Sequence, residues 1–395
     1  MTTNTDDAPA RRVLPWRDVR VLRVAAQVAV VLAVAVLFVF LGNNLAGALE
    51  ERGLGFGFGF MRRRAGFEID ESLIPYSASD TYGSAFVVGL LNTLFVSAVG
   101  IVLATILGIF VGVARLSSNW LLNRVAAGYV ELMRNTPLLV QLVILYFVVF
   151  LQLPSVQDSL SVGNVAFLNQ RGLYVPGPQA TGTIGIWLAF WVAAVALVVI
   201  TGIVATRLED AGRPIHRLRR MGLLVAVALP IVGWFVAGGS PLTFDMPVLG
   251  RFNFSGGVAL STGFAALLTG LVIYTAAFIG EVVRGGIQAV RRGQVEAGRA
   301  LGLSEAQVLR MVIFPQALRI IVPPLTNQYL NLTKNSSLAI AIGYPDLFKV
   351  GQTMSNQTGQ PVPVIIMVMG TYLAISLVTS LLMNLYNRRV QVLER

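Results

Sequence analysis

An all-α bundle of about eight membrane-crossing helices is the fold this sequence predicts, and three observations predict it. The chain of 395 residues is 55% hydrophobic and only 12% charged, with a mean hydropathy of +0.72. Soluble domains carry about a quarter charged residues. Eight segments hold the ~20 largely apolar residues that a hydrocarbon core demands: 21–41, 85–114, 121–153, 184–206, 221–238, 258–284, 318–343 and 362–386. Basic residues then sort across the connections. With the N-terminus in the cytoplasm, 21 of the 30 Lys and Arg lie on the inner side and 7 on the outer, with Arg134 and Lys334 inside spans. That bias places both termini inside. The net charge of +11 thus reads as topology and not as nucleic-acid affinity, because the arginines lie between spans instead of forming a patch.

Several chemistries are excluded at once. The chain has no Cys and one His, His216 in "RPIHRLRR", so disulfides, thiol catalysis and zinc clusters fall away. His216 reads as solvated. A P-loop needs Lys followed by Ser or Thr. The two lysines, Lys334 and Lys349, precede Asn335 and Val350, so the chain carries no ATP-hydrolysing motif.

The spans follow in order. The first, with Val24 to Leu41 as its apolar centre, exceeds a usual signal core and reads as an uncleaved helix despite Ala46-Gly47-Ala48. The outer loop 42–84 holds "GLGFGFGF" and "RRR". No strand precedes the glycines and no Lys-Ser/Thr helix follows, so this is an interfacial turn and not a phosphate cradle. The second span is clean. Glu131, Arg134 and Pro137 interrupt the third, and Pro137 biases Thr136 away from helix. Arg134-Asn135-Thr136 therefore forms a break, with Arg134 either facing a pathway or, the favoured reading, pairing with Glu131 at the interface. The fourth and fifth spans form a pair.

Between the sixth and seventh spans, Glu281 to Leu325 predicts two short helices. The first covers 294–301, with Glu296 near its N-terminus to suit the dipole and Gly302 as a left-handed stop. Ser304 and Gln307 make a capping box for the second, whose apolar stripe of Val308, Leu309, Val312 and Ile313 precedes Pro315. Ala297, Gly298 and Ala300 give the first helix a smooth face. The residues alone leave open whether another protein docks there or the loop covers its own bundle.

The seventh span carries a polar stripe. At 100° per residue, Asn327, Asn331 and Lys334 fall within about 60°, with Asn335 beside them. Reading Pro323 and Pro324 as the first turn puts Lys334 about 16 Å along, near mid-bilayer. A lysine there costs at least ~2.5 kcal/mol unless it meets water or partners. The stripe reads either as facing a watered cavity, the favoured reading, or as an internal hydrogen-bond lattice that holds the bundle. For Lys334 itself a structural role is favoured, paired with Glu131 or Glu281. Ser336 and Ser337 point elsewhere and bond their own helix.

Glu296-Ala297-Gly298, then Gly302 and Val312-Ile313-Phe314-Pro315, resembles the E-A-A-x3-G-x9-I-x-L-P signature of ABC importer permeases, Gly298 replacing the second Ala. "GLLNTLFVSAVGIVLATILG", "YVELMRNTPLLVQL", "GEVVRGGIQAVRRGQVEAGRALG" and "LTKNSSLAIAIG" resemble the polar amino-acid branch, and the long form resembles a general L-amino-acid permease subunit. The resemblance implies a type I core of five spans over 82–153 and 258–390, plus three extra spans. It divides the chain into 1–81 (tail, extra helix, outer loop), 82–153 (first core part), 154–257 (an inserted helix pair) and 258–395 (second core part, with the coupling loop 285–315). It implies an inner-membrane importer of polar L-amino acids that is not itself an enzyme. Glu296, Ala297, Gly298, Arg299, Gly302 and Pro315 would couple to ATPase subunits. Those subunits would hold ATP and magnesium, and this chain no cofactor or metal. The other partners implied are a second, related permease and a periplasmic amino-acid-binding protein. The expected pathway residues are Asn327, Asn331, Lys334, Asn335, Arg134, Asn135 and Thr136. The alternative from the residues is an ion-coupled secondary transporter using Glu131, Glu281 or Lys334, which needs inverted repeats that the sequence does not display.

Overall fold

The computed structural model describes residues 19–51, 57–210 and 216–390. Most of them are helical. Among the described residues, six helices are long and apolar enough to cross a membrane, and a bent pair makes a seventh crossing when taken as one span. Helix α1 (Val19–Glu51) runs ten residues past the predicted end at 41 and is apolar on all sides. Part of the Gly/Phe run and the side chain of His216 lie outside the described residues.

The core is built on α2 (Tyr82–Ala114), which starts from the Thr81 cap. Next comes the predicted interruption. Helix α3 (Trp120–Asn135) stops at Thr136, whose backbone is extended, and α4 (Leu138–Ile144) restarts after Pro137. The two arms differ in direction by 103°, so 121–153 is a broken element and not one straight span. Proline supplies no N–H and pushes its predecessor out of the helical region.

The connections on one side contain strands that the sequence reading missed. Strands β1 (Leu160–Val162), β2 (Ala166–Asn169) and β3 (Gly172–Val175) form an antiparallel sheet completed by a strand far along the chain. Strand β4 (Gly177–Ala180) leads into α5 (Ile184–Asp210) and α6 (His216–Val236), and β5 (Leu242–Asp245) returns to pair with β4. Helices α5 and α6 pack on one another, and the apolar part of α6, Arg220–Val236, is shorter than a standard span. After β6 (Val248–Leu249) and β7 (Phe254–Ser255), β8 (Val258–Ser261) closes the sheet beside β3. The sixth span therefore begins at α7 (Thr262–Gln288), four residues later than expected.

Helix α7 runs parallel to α2. Phe95 stacks on Phe264 and Gly112 meets Gly280, so residue numbers rise together along both. Small residues make this possible. A methyl at Gly112 would lie 2.7 Å from the Gly280 carbonyl oxygen, and one at Gly108 would lie 2.5 Å from Ile279. Gly108 and Gly112 form the small-xxx-small pattern that lets helices approach closely in lipid.

Beyond α7 come α8 (Arg292–Ala300), α9 (Glu305–Val308) and a π turn over Leu309–Ile313. That turn runs directly into α10 (Phe314–Asn335), followed by a 3-10 segment, Ser336–Ile342. Helix α10 packs against α7 and α2 in the opposite direction, as its place in the order of spans requires. A short unpredicted helix, α11 (Leu347–Thr358), fills the space between α2 and the last helix, α12 (Pro361–Val390).

Candidate functional site

Four features share the two ends and the middle of the α2–α7–α10 core. At one end stands the elbow. Helix α8 closes with Gly302 N–H donating to Arg299 C=O at 2.9 Å and Leu303 N–H to Gly298 C=O at 3.2 Å. These are the paired bonds of a Schellman ending, and Gly302 takes the required left-handed conformation, φ +78°. Ser304 and Gln307 form the capping box on the other side of the bend: Ser304 N–H donates to Gln307 Oε1 at 2.9 Å. Arg299 and Glu305 pair across it at 2.8 Å, both exposed.

Two expectations for the elbow need correction. Gly298 is buried and does not face outward; it backs onto Val308 and Val312, where a Cβ would find ordinary contacts of 3.4 and 3.5 Å. The outward residues are Glu296, Ala297, Arg299, Ala300 and Leu301, the last 82% exposed. Nor is the second helix short, and Pro315 does not interrupt it. That proline sits in the first turn of α10, and the preceding π turn absorbs the change in hydrogen bonding, so the chain is helical from Glu305 to Ile342.

The polar stripe lies further along that same helix. Asn327, Asn331 and Lys334 are exposed and Asn335 half-buried; their side chains bond to nothing among the described residues. Pro323 and Pro324 lie inside α10 and not in its first turn, so the depth argument from them fails. Packing restores the depth. A methyl at Gly100 would touch Leu332 at 3.3 Å, and Gly100 lies about 27 Å from the start of α2 and about 21 Å from its end. Lys334 is therefore near the middle of the bundle. It pairs with neither Glu131 nor Glu281, since Glu281 is held by Arg115 and by Arg284 at 2.9 Å. Ser336 and Ser337 donate to the Thr333 and Lys334 carbonyls at 2.9 and 2.8 Å, as expected.

Arg134, Asn135 and Thr136 sit apart from the stripe, at the α3–α4 break. Arg134 does not pair with Glu131; its guanidinium lies 5.3 Å over the Phe278 ring. Arg115, Glu131, Arg134, Asn135 and Phe278 line a cleft of about 400 Å³ at the elbow end. The break is held by a residue the sequence reading passed over. Buried Gln141 donates its amide to the carbonyls of Met133 and Thr136, each at 3.0 Å, the first of them in place of the donor lost at Pro137.

The opposite end contains a polar knot that was also missed. Asp346, fully buried, caps α11 by accepting from Lys349 N–H at 2.8 Å and also accepts from Tyr372 at 3.0 Å. Asn92 donates to the Glu71 and Pro345 carbonyls at 2.8 and 2.9 Å. Ser261, the cap of α7, donates to the Glu71 carboxylate. Burial pushes the Glu71 pKa up to about 7, against the lowering effect of that bond, and pushes Asp346 up to about 6. The signal in the sequence was "YPDLF", where Pro-Asp before an apolar run marks a helix start.

Comparison with known proteins supplies what the geometry cannot. A family model for the inner membrane component of binding-protein-dependent transport systems matches residues 218–392. The chain is 47% identical over 371 residues to YhdX of Escherichia coli, named for amino-acid ABC transport, covering 93% of this chain and 94% of that one. It is 46% identical over 357 residues to AapQ of Rhizobium johnstonii, a general L-amino acid transport system permease, covering 90% and 89%. A glutamate/glutamine/aspartate/asparagine transport system permease of Rhodobacter capsulatus, BztB, is 38% identical over 407 residues, covering 96% of each.

Proposed function

The chain belongs to the permease subunits of amino-acid ABC transporters, and on that premise we propose that it carries polar L-amino acids across the inner membrane under the power of separate ATPase subunits. The elbow faces the cytoplasm together with both termini, and an ATPase subunit grips it. A related permease pairs with this chain, and a soluble binding protein delivers cargo from outside. The ATPases hold ATP and magnesium, because neither lysine here completes a phosphate-binding motif.

One observation carries the reading: the elbow is continuous with the helix bearing the stripe. Residues 305–342 form a single helical run, with α8 locked to its base through Gly298, Val308 and Val312. Force applied at Glu296 and Leu301 is therefore transmitted along α10 to Asn327, Asn331, Lys334 and Asn335. These residues line the route at mid-depth, where amides and an ammonium replace water around the cargo's polar groups. Arg134, Asn135 and Thr136 contribute at the elbow end. A transport core of 82–153 and 258–395, with 1–81 and 154–257 as additions, fits this scheme, since the contacts that carry the force all lie within the core. Of the charges an ion-coupled transporter could use, Glu281 is already neutralised from two sides.

Glu296→Lys tests the proposal. The variant should reach the membrane in normal amount, lose co-purifying ATPase, and lower ATP-driven amino-acid uptake at least tenfold. Full uptake with normal ATPase retention refutes the elbow's role.

A further inference from the structure

At the elbow end, where α2, α3 and α7 meet, the cleft of about 400 Å³ gathers charges of both signs that internal pairing satisfies only in part. Arg115 uses a terminal nitrogen on Glu281, while its Nε–H is buried with no partner. Such a donor costs free energy until something accepts from it. Arg134 is oriented by the Phe278 ring at 5.3 Å, and among the described residues no carboxylate pairs with it. Stacking of this kind fixes the guanidinium plane and leaves its N–H edges available. Glu131 lies one turn before Arg134, also lines the cleft, and has no cation of its own among the described residues. Asn135 adds an exposed amide with no bonded partner there.

This set selects strongly. A plain anion would meet the Glu131 carboxylate, and a plain cation would meet two guanidinium groups. A molecule bearing a carboxylate beside an ammonium satisfies both, and the volume lies in the usual range for small-ligand sites. We infer that this cleft binds a free α-amino acid, its carboxylate on Arg134 and Arg115 and its ammonium on Glu131. The inference rests on the importer reading for the class of ligand. It assigns to Arg115, Glu131 and Phe278 a role separate from that of the mid-depth stripe. A phosphatidylethanolamine headgroup carries the same pair of charges, so the test must separate the two sources.

The experiment uses the transporter assembled with its ATPase in phosphatidylglycerol nanodiscs, without binding protein or ATP. Equilibrium dialysis measures radiolabelled L-glutamine, with competition by 4-aminobutanamide, which lacks the carboxylate, and by glutaramate, which lacks the ammonium. Saturable binding is expected, at least tenfold weaker in Arg134→Ala and in Glu131→Gln, and partly restored in Arg134→Lys. Neither one-charge analogue should compete. Equal binding in Arg134→Ala, or effective competition by either analogue, overturns the assignment. Loss of glutamine binding on exchange into phosphatidylethanolamine nanodiscs also overturns it, giving the cleft to lipid. A transporter that imports glutamine with ATP yet shows no Arg134-dependent binding sinks this inference alone. Arg134-dependent binding without ATP-driven import sinks the importer reading alone.

Discussion

Pro137 removes a helical donor, and the Gln141 side chain supplies one in its place. The break was legible because proline acts on its immediate neighbour. The repair was not, because an amide reaching back five and eight residues across a bend leaves no periodic trace. Glu71 is a similar case. In sequence it is one acid in an outer loop; in the fold it is shut in beneath the Ser261 cap of α7, with its pKa near 7. An acid whose folded pKa exceeds its unfolded value of 4.5 makes the folded state hold more protons between those two values. Stability is then greatest below the window and falls as pH rises through it. The thermal midpoint of the detergent-purified protein should therefore decline from about pH 5 to about pH 8. Glu71→Gln should flatten most of that decline, while Asp346, raised to about 6, leaves a residual slope at the acid end. An undiminished slope in Glu71→Gln would show that another group titrates.

At the scale of elements, glycine placement decides what each substitution does. The α2–α7 crossing depends on Gly108, Gly112 and Gly280, where an added methyl meets backbone or a branched side chain at under 3 Å. Gly112→Ala should cost roughly 1–3 kcal/mol through overpacking. It should lower the thermal midpoint and the yield of folded protein. Gly298 looks equivalent in sequence but is not. Its Cβ position is open at 3.4 Å, so Gly298→Ala should be neutral, or stabilising by up to about 1 kcal/mol through helix propensity, with transport retained. Equal damage by both substitutions would mean that the packing at these crossings has been misjudged. The apolar spans and elbow caps were readable because they rest on composition and local spacing. The strands were not: β3 pairs with β8 across more than eighty residues, and both are too short to show alternation.

On the scale of the whole molecule, the question is how the α5–α6 pair sits in the chain without disturbing the elements on either side. The register of β4 and β5 gives an answer. Ala180 lies opposite Leu242, Thr181 N–H donates to the Pro241 carbonyl at 3.2 Å, and everything between them, 181–241, is α5, α6 and their connections. The pair enters and leaves the fold at one point. Helices α5 and α6 lean on each other and share no major packing surface with α2, α7 or α10. Replacing 181–241 by Asn-Gly should turn β4 and β5 into a two-residue hairpin, the connection that matches strand twist best. The shortened chain should insert, retain its ATPase and import amino acids at a rate within about threefold of the full chain, a change of under ~1 kcal/mol in any step. A shortened chain that folds and binds its ATPase but no longer pairs with the second permease would make α5 and α6 part of the assembly interface. Failure to fold would mean that the core, from α2 to α12, draws stability from the hairpin through contacts too sparse to be recognised in the packing.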